Sequence, residues 1–453
     1  MVKRIIATLN VIMPFLQPCP KWIQVLVAAG LIYVFAVIVV ILIWFLFFSS
    51  PQKQKPNVFD NHVRTQLNSR IKNMMSSQGS HIHFQKVPLM EGFFVVEDIR
   101  PGEFGWKLIR AFVCSDDPTF YRYCDEISKM FLNRYFVDAI NHYLILIHSD
   151  LSADVYVNEF PIQIRILAKR DVKAMEPIGS SDIADIAEIR FPGIDIKEND
   201  CVIFCFKKGW KFGLFFDFGP ADNKSVLDIK HLFHDLGGYY RYLAFQELYL
   251  ILKNEQLFEP MFADGWFPFI QLLGGDFEEL AACYKHKRDF PGNVDSFLSR
   301  FDEDRINTFT NRWWKKQIFE HKRQILEAGI EAYLLETPAG YINCVKTLYS
   351  EIDGIVRMRY VDEKKKEPNF RELLDYVKQK AEGKFGPKES LGFSDVFYRY
   401  LNEVVFKNFD LKTGQIDLSR HSAMHGVAEH TQYTKNKAIQ AILILDQMYF
   451  YLT

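Results

Sequence analysis

The sequence predicts an α+β chain in three parts: an N-terminal single transmembrane helix, a mixed strand-rich middle module and a C-terminal all-α helical bundle. Three observations carry this. Residues 22–48 run without a charge, short β-branched and aromatic runs dominate from about 81 to 235, and from about 236 apolar residues recur at three- and four-residue spacing. At 453 residues the chain is long enough for two or three domains. Its 49% hydrophobic and 15% aromatic content excludes an intrinsically disordered chain, and its 25% charged fraction excludes a polytopic membrane protein. Lys and Arg (55) balance Asp and Glu (56), so any polyanion site must be local rather than a global basic field.

After an N-terminal segment, residues 1–21, the 27-residue run from Trp22 to Phe48 exceeds the ~20 apolar residues that cross a bilayer. A secretory signal peptide has a shorter apolar region and a small-residue cleavage site, whereas this run ends FLFFSSPQK. Trp22 and Trp44 stand where interfacial anchors are expected, with Lys21, Lys53 and Lys55 flanking the run. The positive-inside rule is tied. Seven scattered cysteines lack the density of an oxidised framework, which favours a reducing compartment for the rest of the chain. The expectation is a single-pass protein of the cell inner membrane with its remaining part cytoplasmic, following a polar linker at 49–80.

Residues 81–297 read as an α+β module, a candidate sensor, that turns helical after about 235. Its strands are read at 92–99, 143–148, 153–158 and 162–168, with one helix near Asp117–Asp138. CVIFCF (201–206) and KFGLFFDF (211–218) read as a hairpin turning at Gly209. His81 and His83 alternate on a strand as two metal ligands would, yet no carboxylate or Cys pair stands near them in sequence, which favours surface or packing roles. Cys201 and Cys205 read as buried thiols, and His231 with His234 as part of a helix end.

Residues 298–453 read as helices at Asn311–Leu335, Ala339–Arg357, Phe370–Ala381, Phe393–Phe406 and Thr434–Leu452. Arg312-Trp313-Trp314-Lys315-Lys316 suits either a stacking surface for single strands or packing at a domain junction, and Glu363–Glu367 a solvated tip. Before the last helix stands Ser419-Arg420-His421-Ser422-Ala423-Met424-His425-Gly426. A neutral imidazole can take the proton of an RNA 2′-hydroxyl, and a guanidinium can grip the phosphate as charge builds on it. The same letters also suit plain helix capping, with Ser422 capping, Gly426 ending the turn and the imidazole on a carbonyl.

This stretch resembles the HEPN (higher eukaryotes and prokaryotes nucleotide-binding) domains, whose signature is Arg, four to six residues, then His, with a polar residue after the Arg. RHSAMHG and the long apolar final helix look like a bacterial "NRH…HG" subgroup, and TLYSEIDGIVR (347–357) looks like an earlier helix of that subgroup. Ser419 stands where the subgroup usually has Asn. The resemblance covers about residues 310–453. It implies a helical bundle that forms a homodimer with two Arg–His pairs facing one cleft, and metal-independent endoribonuclease activity, often in toxins and antiviral-defence effectors. Arg420 and His425 would then be phosphate binder and general base, His421 a supporting residue, and Asp353 a residue orienting Arg420. RNA, the lipid bilayer and a second copy of the chain are the expected partners, with no cofactor and no metal. A catalytically inactive HEPN-like dimerisation module, membrane-anchored, is the alternative.

Overall fold

The computed structural model describes residues 80–87, 94–132, 141–222, 226–285, 290–386, 390–410 and 416–452. They belong to one compact unit that begins at Ser77. Among the described residues there are ten strands: β1 Ser80–Phe84, β2 Phe94–Val95, β3 Lys107–Leu108, β4 Arg110–Cys114, β5 Tyr143–Ile147, β6 Ala153–Val157, β7 Gln163–Ala168, β8 Ile183–Arg190, β9 Cys201–Lys208 and β10 Lys211–Asp217. Six form an antiparallel sheet in the order β1-β6-β5-β9-β10-β4. The β9–β10 hairpin turns at Gly209, whose φ of +62° is the left-handed conformation that glycine adopts without steric cost.

Two cores clothe this sheet. Ile145, Val155, Ile203, Leu214 and Phe216 point to one face, beneath Phe120 and Ile127 of helix α1 (Pro118–Ile127). Leu144, Leu146, Val202, Phe204 and Phe215 point to the other, beneath Leu232, Leu236 and Leu243 of helix α2 (Ile229–Ala244). Covered on both sides, central strand β5 is buried along its whole length, which is why YLILI is continuously apolar rather than alternating.

The helices after α2 are α3 Gln246–Lys253, α4 Glu255–Ala263, α5 Asp276–Lys285, α6 Phe290–Ser299, α7 Glu303–Thr310, α8 Gln317–Glu320, α9 Arg323–Leu334, α10 Pro338–Lys364, α11 Phe370–Phe385, α12 Ser394–Tyr400, α13 Arg420–Met424 and α14 Lys435–Leu452. They share a third core that runs from Phe245 to Leu452 without a break at residue 297. Helix α14 lies at its centre, buried on all sides from Ala438 to Met448, as a helix apolar all round must be. The two-stranded β7–β8 ribbon joins the halves: Ala184 and Ile186 of β8 belong to the helical core, and Ile189 to the sheet core.

Two expectations are corrected here. The fold class is mixed α/β with a helical C-terminal region, and among the described residues no helix is long and apolar enough to cross a membrane. The longest, α10, carries Lys346, Glu351, Asp353, Arg357 and Arg359 along its length, and α14 carries Lys435, Lys437 and Asp446. These charges would be costly in hydrocarbon. The expected single-pass inner-membrane architecture therefore has no spanning helix among the described residues. Segment 22–48 with Trp22 and Trp44, and the linker at 49–79, lie outside them.

Candidate active site

The expected helix Asn311–Leu335 is broken at Trp313–Lys315 and again before α9, and Trp313 is fully buried, so the Arg312–Lys316 stretch serves packing. The next helix does form. Thr337 caps α10 by accepting the Gly340 N–H at 3.0 Å, and Pro338 opens it with a φ suited to a first turn. α10 continues past Arg357 to Lys364, so Asp353 and Arg357 stand one turn apart on it.

Helix α13 is a single turn. Ser419 caps it: its hydroxyl accepts the Ser422 N–H at 3.2 Å, and the Ser422 hydroxyl returns a bond from the Ser419 N–H at 2.8 Å. The cap is thus Ser419 rather than Ser422. Serine and asparagine are equally good N-caps, so Ser419 fills an asparagine's structural place. At the other end the His425 N–H bonds to the His421 carbonyl at 3.0 Å, and Gly426 follows with φ +71°. This terminates the turn and leaves the His425 ring on the surface.

The side chains meet on α10. Arg420 Nη2 lies 3.3 Å from Asp353 Oδ2, and Arg357 Nε lies 3.0 Å from the same oxygen. One carboxylate therefore serves two guanidiniums and leaves an excess positive charge. Arg357 also donates from Nη1 to the Pro368 carbonyl at 3.1 Å. Arg420 Nε is buried and has no hydrogen-bond partner among the described residues. The His421 pKa is lowered, first by burial and then by the charges of Arg420 and His425, with Asp353 opposing. His421 is thus held neutral near physiological pH. His425 packs edge-on against Phe409, with centroids 5.6 Å apart. All four expected site residues, Asp353, Arg420, His421 and His425, gather in one place.

A cavity of about 1080 Å³ lies nearby in the chain, and none of Asp353, Arg420, His421 and His425 lines it. Asn408 and Leu418 line it, and their chain neighbours Phe409 and Ser419 belong to the site. No family model matches the chain, and neither does any curated protein or solved structure.

Sequence reading missed Arg357, although the one-turn spacing from Asp353 was a usable signal. It also left His81 and His83 without a carboxylate, whereas β6 places Asp154 directly opposite His83. Cys201 and Cys205 are buried as expected. His231 pairs loosely with Asp235 at 3.6 Å, and His234 faces the Ala187 carbonyl at 3.2 Å. Lys366 and Lys380 on and near the 363–367 tip are held by Glu372 and Glu363. Among the described residues no group of three His, Cys, Asp or Glu is arranged to hold a metal ion.

Proposed function

We propose that the C-terminal helical region is a metal-independent endoribonuclease of HEPN type, acting as a homodimer on RNA. The observation that carries the proposal is the shared Asp353 oxygen, which orients Arg420 and Arg357 with one positive charge in excess beside an exposed imidazole. Neutral His425 takes the proton of a 2′-hydroxyl, and the 2′-oxygen attacks the adjacent phosphorus. The P–O5′ bond breaks, and the imidazolium formed returns its proton to the departing 5′-oxygen. Arg420 neutralises the phosphate as charge builds on its oxygens. The products are a 2′,3′-cyclic phosphate and a 5′-hydroxyl, and DNA, lacking the nucleophile, is left uncut.

A second reading is a catalytically silent dimerising module. The reciprocal Ser419–Ser422 bonds and the Gly426 turn favour it, because they satisfy the local chain without chemistry. The test incubates the full chain with RNA in EDTA beside its His425→Ala variant. Cyclic-phosphate ends that vanish in the variant support the ribonuclease. Intact RNA after incubation with a demonstrably dimeric wild type decides for the silent module.

A further inference from the structure

A second cluster of titratable side chains lies on the edge of the sheet, built around Asp154 of β6. Its Oδ1 lies 3.0 Å from His81 Nε2 and 2.8 Å from His83 Nδ1, both on edge strand β1. Its Oδ2 lies 3.1 Å from His148 Nε2. The other nitrogen of His148, Nδ1, lies 2.8 Å from Asp200 Oδ1. Asp200 is 1% exposed, and its Oδ2 accepts the Lys197 N–H at 2.8 Å. A 370 Å³ pocket opens over His83, His148, Asp150 and Lys197, and Tyr156 stacks on His81 with centroids 4.6 Å apart.

The protonation of His148 follows from this geometry. Ionised carboxylates only accept hydrogen bonds, so an imidazole with carboxylate oxygens at both nitrogens must carry two N–H groups and a positive charge. The bonds to Asp200 and Asp154 raise the His148 pKa against the opposing effect of burial, while the three imidazoles hold Asp154 down at about 2 although burial opposes them. If His148 loses a proton, one carboxylate faces a lone pair. Asp200 is buried and fixed by backbone, so the contact that yields is Asp154, whose other oxygen, Oδ1, anchors both β1 histidines.

We propose that protonated His148 is the pin of a clasp that locks edge strand β1 onto the sheet, and that its deprotonation releases β1. The charged and titratable groups facing the pin are Asp150, Asp154, Asp200, Lys197, His81, His83 and, through His81, Tyr156. The sign is settled by the raised pKa: the clasp is complete below the ordinary histidine value of about 6.5 and is lost as pH rises through the folded value. Its acid limit is the protonation of Asp154 near pH 2.

The test is hydrogen exchange of the full chain, read on the amides of β1 with β5 as the internal standard and corrected for intrinsic exchange. Between about pH 5.5 and about pH 8.5 the protection of β1 relative to β5 is expected to fall by about tenfold, one unit of histidine titration. His148→Gln, whose amide puts an acceptor oxygen where the ring has its second N–H and carries no charge, is expected to show the low value at every pH while β5 stays protected. Asp200→Asn keeps the imidazole but removes one carboxylate, so the transition moves to lower pH. A β1 protection that does not change with pH in the wild type overturns the proposal, as does a His148→Gln chain with the wild-type profile. Recovery of β1 protection at high pH on adding zinc also overturns it, because a metal would then stand where the proton is placed.

Discussion

The Arg312 guanidinium and the Asp446 carboxylate meet inside the helical core, with Nη2 at 2.5 Å from Oδ1 and 2.6 Å from Oδ2. Asp446 is 1% exposed and also accepts the Trp313 indole N–H at 2.7 Å. Arg312 in turn donates to the Lys169 carbonyl at the end of β7 and lies over the rings of Tyr449 and Phe450. Removing one partner strands the other charge in a dry site. Asp446→Ala is therefore expected to lower the unfolding free energy by about 3–5 kcal/mol, measured by urea denaturation. A loss below about 1 kcal/mol would mean that the pair is hydrated in solution.

Gly237 of α2 packs where a side chain cannot go. A Cβ there would lie 2.5 Å from the Glu188 Cα and 2.6 Å from the Ala187 carbonyl oxygen of β8. Alanine normally improves a helix by about 1 kcal/mol over glycine. Here the contact is with backbone, so Gly237→Ala is expected to destabilise by about 1–3 kcal/mol in thermal or urea unfolding.

Burial pushes the Asp185 carboxyl up to about 6, with Arg241 and the N–H groups of Ile186 and Leu391 pulling the other way. The unfolded chain ionises this group near 3.8, so between about pH 4 and 6 the folded state holds the extra proton and stability falls as pH rises. Asp185→Asn removes that dependence and keeps an acceptor for both N–H groups. Measured at the two ends of this range, the variant's stability relative to wild type should rise with pH by on the order of 2–3 kcal/mol.

If Arg357 shares the phosphate with Arg420, Arg357→Ala should lower kcat/KM for RNA by about tenfold to a hundredfold, the worth of a charge-assisted hydrogen bond. Arg357→Lys should recover part of it. An unchanged KM and kcat in the alanine variant would leave Arg357 as a tether to the Pro368 carbonyl alone.

Where local physics decided the outcome, the sequence was legible. CVIFCF and KFGLFFDF form the expected hairpin, Pro338 opens its helix, and the last helix starts at Lys435 beside the expected Thr434. Of the expected strand at 92–99, whose described residues begin at 94, Phe94–Val95 pair with the two-residue strand β3. The site was legible as a short motif because Arg420, His421 and His425 are neighbours in the chain. The Asp154 cluster was not, since its members stand on β1, on β6 and in the turns after β5 and before β9. Only strand order brings those together.

The β7–β8 ribbon faces two ways, with Ala184 and Ile186 in one core and Ile189 in another. Such an arrangement makes the molecule hard to dissect. A fragment that starts at residue 298 would leave Trp266, Phe267, Phe269 and Phe277 behind and bare part of the apolar core they share with the later helices, and a fragment that ends there would bare theirs. Neither piece could shed the other without becoming adhesive, so the smallest unit on which the proposed activity can be tested contains the ribbon and both of the cores it stitches together.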